Sequence, residues 1–168
     1  NFAYAYAWLS GVYINLYWFY YDRTSERLTM AKEFVDKALQ LDPQLHLAYG
    51  VLGMYYFQIP DFYAAQQACE TAYKLAPNSS EILFALGAVY RWQGKFNLST
   101  KYLERACQFD PLSQIIHWEC GFNHFMWRNY SRAEEHFNKS IHLAPEIVFP
   151  YWGKSALYLT WKGDIQRG

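Results

Sequence analysis

Four prolines, Pro43, Pro77, Pro111 and Pro145, recur at intervals of 34 residues, and this period leaves the chain few folds to choose from. The same interval separates Ala31, Ala65, Ser99 and Ala133, then Ala38, Ala72, Ala106 and Ser140, then Gly53, Gly87 and Gly121. Phe62, Phe96 and Tyr130 keep it as well. Several registers that share one spacing describe one supersecondary unit, repeated and stacked, because a unit this small cannot bury its apolar face alone.

Each unit reads as two helices. Tyr49, Leu52, Gly53 and Tyr56 fall at i, i+3, i+4 and i+7, one face of a helix. Leu83, Leu86, Gly87 and Tyr90 repeat the pattern, as do His117, Cys120, Gly121 and His124. Trp152, Ser155, Ala156 and Leu159 continue it if one residue is inserted before them. A small residue in the third slot lets a partner helix approach closely. Short breaks follow at Ile59-Pro60-Asp61, Gln93-Gly94-Lys95, Trp127-Arg128-Asn129 and Trp161-Lys162-Gly163-Asp164, each before a second apolar periodicity. That second helix carries the alanines and ends in an apolar-x-Pro signature, with proline expected in the first turn of the next helix. Helices are therefore expected at about 3–20, 25–41, 44–58, 61–76, 79–93, 96–109, 112–127, 130–143 and 147–162. The first unit departs from the period through extra residues between Tyr20 and Ser25.

The fold expected is all-α, a solenoid of antiparallel helix pairs. One array covers 1–168, with repeats at about 1–45, 46–79, 80–113 and 114–147 and a partial one at 148–168. The start at Asn1 and the short last unit read as a piece of a longer polypeptide.

Charge excludes several classes of function. Fifteen basic and fifteen acidic residues balance, without the basic stripe that nucleic acid or an anionic membrane would select. Three cysteines, Cys69, Cys107 and Cys120, on helical positions read as buried free thiols in a reducing, cytoplasmic setting. The glycosylation-type triplets at Asn78, Asn97, Asn129 and Asn138 read as ordinary surface residues. Asn1 to Tyr21 carries no charge and is long enough to span a bilayer. Its tyrosines are spread along the run rather than gathered at the ends, so a packed first helix is the better reading and no membrane contact is expected.

The order bulky residue, Leu-Gly, Tyr, small residues, Pro over 34 positions resembles the tetratricopeptide repeat family along nearly the whole chain. The resemblance implies a right-handed superhelix whose concave side, built by the first helix of each pair, binds peptides or proteins. Ala156 to Asp164 and Tyr17 to Arg23 also resemble, loosely, tetratricopeptide regions of bacterial signalling proteins such as nucleotide cyclases, kinases and winged-helix regulators. The family's best-known version grips a C-terminal carboxylate with Lys, Asn and Arg. The matching slots here hold Trp8, Val12, Val51, Glu81 and Ala85, so that clamp is absent.

By the same resemblance the groove comprises Trp8, Val12 and Asn15, then Leu47, Gly50, Met54, Phe57 and Gln58, then Phe84, Ala88, Arg91 and Trp92. Trp118, Phe122, Phe125 and Met126 follow, and Gly153, Leu157 and Trp161 close the series. Aromatic rings, methionine and a few arginines compose the core of many interfaces. The expected partner is an apolar protein or peptide segment. The alternatives are self-association or docking of an adjoining domain of the same protein, and a small apolar ligand. Burying four such rings contributes on the order of 6–12 kcal/mol gross, much of it offset by lost freedom and desolvation.

Catalytic chemistry is not expected. No nucleophile motif or phosphate loop occurs, and Glu134-Glu135 lies on a solvated face. His117, Cys120 and His124 share one side of a helix and have the residue types of metal ligands, but their slots hold core residues in other repeats. His136 and His142 follow in the next helix without completing a set. No metal and no cofactor are expected.

Overall fold

The structure, a computed structural model, describes residues 2–18, 21 and 23–161. Those residues form nine α-helices and no strand: α1 Phe2–Trp18, α2 Ser25–Leu41, α3 His46–Gln58, α4 Phe62–Leu75, α5 Ser80–Trp92, α6 Phe96–Phe109, α7 Gln114–Met126, α8 Tyr130–Leu143 and α9 Phe149–Trp161. The expected turn at Trp161-Lys162-Gly163-Asp164 lies outside the described residues beyond Trp161, as do Phe19, Tyr20 and Asp22 of the first-repeat insertion.

The repeated small residues hold each pair together. Ala31, Ala65, Ser99 and Ala133 are fully buried, and so are Ala38, Ala72, Ala106 and Ser140. Opposite them, a Cβ on Gly53 would lie 2.3 Å from Cys69 Sγ, one on Gly87 2.5 Å from Leu103 Cγ, and one on Gly121 2.5 Å from a Phe137 ring carbon. In each case the obstructing residue is 16 positions on, in the second helix of the same pair. The glycines are thus contact points between helices, as their spacing predicts. Serines that replace alanine in this seam are satisfied: Ser99 Oγ donates to the Gly87 carbonyl at 2.8 Å, and Ser140 Oγ to the Gln114 carbonyl at 3.1 Å.

The prolines work differently from expectation. The backbone N–H groups of Leu45, Ser79, Ser113 and Ile147 donate to the carbonyls of Asp42, Ala76, Asp110 and Ala144, closing four equivalent turns. Each proline is the second residue of its turn, where its fixed φ is already correct. The following helices therefore start three to four residues beyond the proline, at His46, Ser80, Gln114 and Phe149.

The last repeat has no inserted residue. Tyr151 donates its hydroxyl to the Pro145 carbonyl at 3.1 Å, as Tyr49 does to Pro43, six residues after each proline. The period of 34 thus runs unbroken from Pro43 to Tyr151.

The first helices α1, α3, α5, α7 and α9 each touch the next in the series, whereas α2, α4, α6 and α8 touch only first helices. In a curved stack the layer whose members touch is the inner one, so the first helices form the concave wall. The cysteines are free and buried. No helix among the described residues is long and apolar enough to cross a membrane.

Candidate functional site

The inner wall carries its side chains in rows one period apart. One row is Gly50, Phe84, Trp118 and Trp152; another is Phe57, Arg91, Phe125 and Leu159; a third is Gln58, Trp92, Met126 and Thr160. Neighbouring rings touch along the wall. Trp18 lies 5.7 Å from Phe57 and Phe57 lies 5.8 Å from Trp92, centroid to centroid. Farther along, Trp118 stacks on Phe122 at 5.6 Å, and Phe122 on Phe125 at 6.4 Å. Trp92 is 52% exposed and Met126 47%, so the wall is wetted apolar surface rather than closed core. Leu47, Met54, Phe57, Gln58, Phe84, Trp118, Phe122 and Phe125 are half-buried.

Residues 47–79 match the family model described as the tetratricopeptide repeat. The human tetratricopeptide repeat protein 6 is 26% identical over 109 residues, 65% of this chain.

These matches support the tetratricopeptide repeat family.

The array spans 21% of that human protein, about a fifth of its length. Two solved structures share the tetratricopeptide fold seen here. MamA superposes with a TM-score of 0.71 at 21% identity, over 86% of this chain and 84% of that one. YrrB, described as a TPR protein with an unusual peptide-binding site, gives 0.65 at 21% identity, over 92% and 76%.

Several expected groove residues sit elsewhere in the tetratricopeptide framework. Leu157 is fully buried. A Cβ on Gly153 would strike Trp118 and Phe137, so Gly153 is a contact between α9 and the preceding pair. Both expectations came from the inserted residue, which displaced the reading of α9 by one position. Trp152 and Leu159, read as the packing stripe, are exposed at 57% and 50% and belong to the wall rows. Trp161 closes the far end against Tyr130, 5.8 Å away. Trp8 and Asn15 are exposed on the side of α1 that carries Trp18, a wall residue that sequence reasoning missed.

Arg91 is not a free cation of the wall. It is buried, its Nη2 donates to Glu119 Oε2 at 2.5 Å, and its guanidinium carbon lies 5.0 Å from the Phe122 centroid. Glu119 neutralises it, which leaves the wall apolar.

Behind α7, on the face away from the groove, lies a buried polar cluster. Cys107 Sγ is 2.9 Å from Cys120 Sγ and 3.8 Å from His117 Nδ1, and His117 Nδ1 is 3.1 Å from His136 Nδ1. His117 Nε2 bonds the Pro111 carbonyl at 3.1 Å. Glu104 accepts from His124 Nε2 at 3.1 Å and lies 3.6 Å from His136 Nε2, with Arg132 at 3.3 Å. Hydrogen bonds from His124 and then His136 hold the Glu104 carboxyl well below the usual carboxylate range. Burial works against the charged form of His136, but its bonds to Cys107 and Glu104 raise it to about 9. The hydrogen bond from Cys120 lowers the Cys107 thiol, and the same bond raises Cys120. Of the trio on one side of α7, His117 and Cys120 meet Cys107, whereas His124 turns to Glu104; Cys107 and His136 are the members that spacing on α7 did not supply.

Proposed function

We propose that this array is a non-catalytic docking scaffold whose inner wall holds an apolar protein segment. One observation carries the reading: two runs of contacting, partly exposed rings, Trp18–Phe57–Trp92 and Trp118–Phe122–Phe125, face outward from a wall whose buried cation is already paired. Uncompensated apolar surface of this kind gains by being covered, and rigid rings lose little freedom when it is. An amphipathic helix or an extended segment with apolar residues at regular spacing fits such a wall. The peptide-binding site described for YrrB supports the same use of the fold. Three free buried thiols fit a reducing compartment such as the cytoplasm. Within a larger regulatory or signalling protein, the array would supply docking and another region the output.

The test is a selection of random peptides against the immobilised chain, followed by affinity measurement. The double variant Trp92→Ala, Met126→Ala is expected to weaken the selected peptides by at least about tenfold. Tyr63→Ala, exposed on α4 outside the wall, is expected to leave them unchanged. Peptides equally indifferent to both variants would refute the groove reading.

A further inference from the structure

The cluster behind α7 has a chemistry that partner docking does not use. We propose that Cys107, His117, Cys120 and His136 form a closed, four-coordinate site for a zinc-type divalent metal that ties α6, α7 and α8 together.

The repeat supplies an internal comparison. The slot of Cys107 holds Leu39, Tyr73 and Ile141 in the other repeats, and that of His117 holds Tyr49, Leu83 and Tyr151. Cys120 replaces Leu52 and Leu86, and His136 replaces Phe34, Ala68 and Tyr102. Four packing slots have changed to ligand-type residues, and all four meet at one junction. The two cysteines also serve as small core residues, but core packing does not ask for two buried imidazoles beside them.

The geometry fits one ion. The ligand atoms of Cys107, His117 and His136 lie within 4.8 Å of one another. Zinc–nitrogen bonds of about 2.05 Å and zinc–sulfur bonds of about 2.3 Å set tetrahedral edges of about 3.4 Å between nitrogens and about 3.6 Å between nitrogen and sulfur. The observed separations are 3.1 Å for His117 Nδ1 to His136 Nδ1 and 3.8 Å for Cys107 Sγ to His117 Nδ1. Cys120 Sγ, 2.9 Å from Cys107 Sγ, stands outside that group and would have to turn towards the two histidines to become the fourth ligand.

Tautomers make the case stronger. A carbonyl oxygen only accepts, so His117 carries its proton on Nε2, facing Pro111, in the slot where Tyr49 and Tyr151 donate to Pro43 and Pro145. The Glu104 carboxylate, 3.6 Å from His136 Nε2, favours the proton on that nitrogen as well. Both Nδ1 atoms then aim lone pairs at each other across 3.1 Å, which is repulsive unless a cation lies between them. Metal-bound histidines characteristically have their second nitrogen held by a carbonyl or carboxylate in this way. Two thiolates and two neutral imidazoles are the donor set that zinc prefers over oxygen-seeking cations. A single shared proton, balanced by a Cys107 thiolate, is the competing occupant.

The whole chain, purified under a reductant, is titrated with Co2+ and Zn2+. One equivalent is expected to bind, with the visible absorption of tetrahedral Co2+ and a thiolate-to-metal band. Cys107→Ser and His136→Gln are each expected to abolish that spectrum, and Glu104→Gln to weaken binding about tenfold. His124→Gln should leave the spectrum intact. A folded chain that takes up no Co2+ overturns the proposal in favour of the shared proton. A spectrum lost in His124→Gln but kept in Cys107→Ser overturns it in favour of a Glu104–His124–His136 site. Should the variants fail to fold, X-ray absorption on the zinc-loaded native chain decides: two sulfur and two nitrogen neighbours are expected, and a shell without sulfur contradicts the proposal.

Discussion

Arg91 of α5 reaches across to Glu119 of α7, donating from Nη2 to the carboxylate at 2.5 Å and from Nη1 to the backbone carbonyl at 3.3 Å. The pair links two first helices at the base of the groove, where Arg91 is buried and Glu119 only partly so. Removing one member strands the other in a site of reduced polarity. Arg91→Ala is expected to destabilise the chain by about 2 kcal/mol, the scale of a hydrogen bond to a charged group. Joint replacement with Glu119→Leu is expected to recover part of that loss. Urea unfolding of the two single variants and the double variant measures the coupling, and strictly additive losses would show that the pair is not coupled.

Gly121 sits where a Cβ would meet the Phe137 ring at 2.5 Å. Phe137 is fully buried and also presses on Gly153, so the ring has no free direction. Gly121→Ala should therefore cost about 1–3 kcal/mol by overpacking, despite alanine's better helix propensity. Thermal unfolding is the check; a raised Tm would mean that the helix pair yields.

Arg128 has φ of 60°, the left-handed region, in the slot where the preceding repeat has Gly94 at 72°. A residue with a Cβ is strained there by about 1–2 kcal/mol, and glycine is not. Arg128→Gly should stabilise the chain by about 1 kcal/mol, seen as a higher urea midpoint with unchanged slope.

Tyr90 donates its hydroxyl to Glu70 Oε1 at 2.8 Å. Burial first, then that bond, raises its phenol above the ordinary value. A raised folded pKa means that the stabilisation is fully present below the unfolded value of about 10 and is lost as pH climbs from there towards the folded value. Tyr90→Phe should cost about 1 kcal/mol near neutral pH and flatten the alkaline decline in stability. Unfolding midpoints measured between neutral pH and the phenol range test the slope.

Much of the architecture was legible because the period repeats the same local physics. Small residues at Ala65 or Ala133 and glycine at Gly87 declare helix contacts, and the observed helices fall within about three residues of the expected bounds. The turns were harder to place. A proline such as Pro43 suits both a first helical turn and the second position of a β-turn, and only the Leu45-to-Asp42 bond distinguishes them. In α9 the sequence Trp152, Ser155, Ala156, Leu159 imitates the packing stripe one position late. The six-residue step from Pro145 to Tyr151 held the true register, but its meaning lies in a hydrogen bond. The cluster behind α7 was the least legible. Its members come from three helices, and His136 occupies a slot that is phenylalanine, alanine or tyrosine elsewhere, so linear spacing showed only the part on α7.

The chain has three methionines, and their methyl groups report on the groove directly. Met54 and Met126 lie on the inner wall, whereas Met30 lies on α2, in the outer layer. In methyl NMR of the methionine-labelled chain, adding a selected peptide is predicted to shift Met54 and Met126 and leave Met30 in place. A bound peptide that moves Met30 alone, or none of the three, would contradict the account.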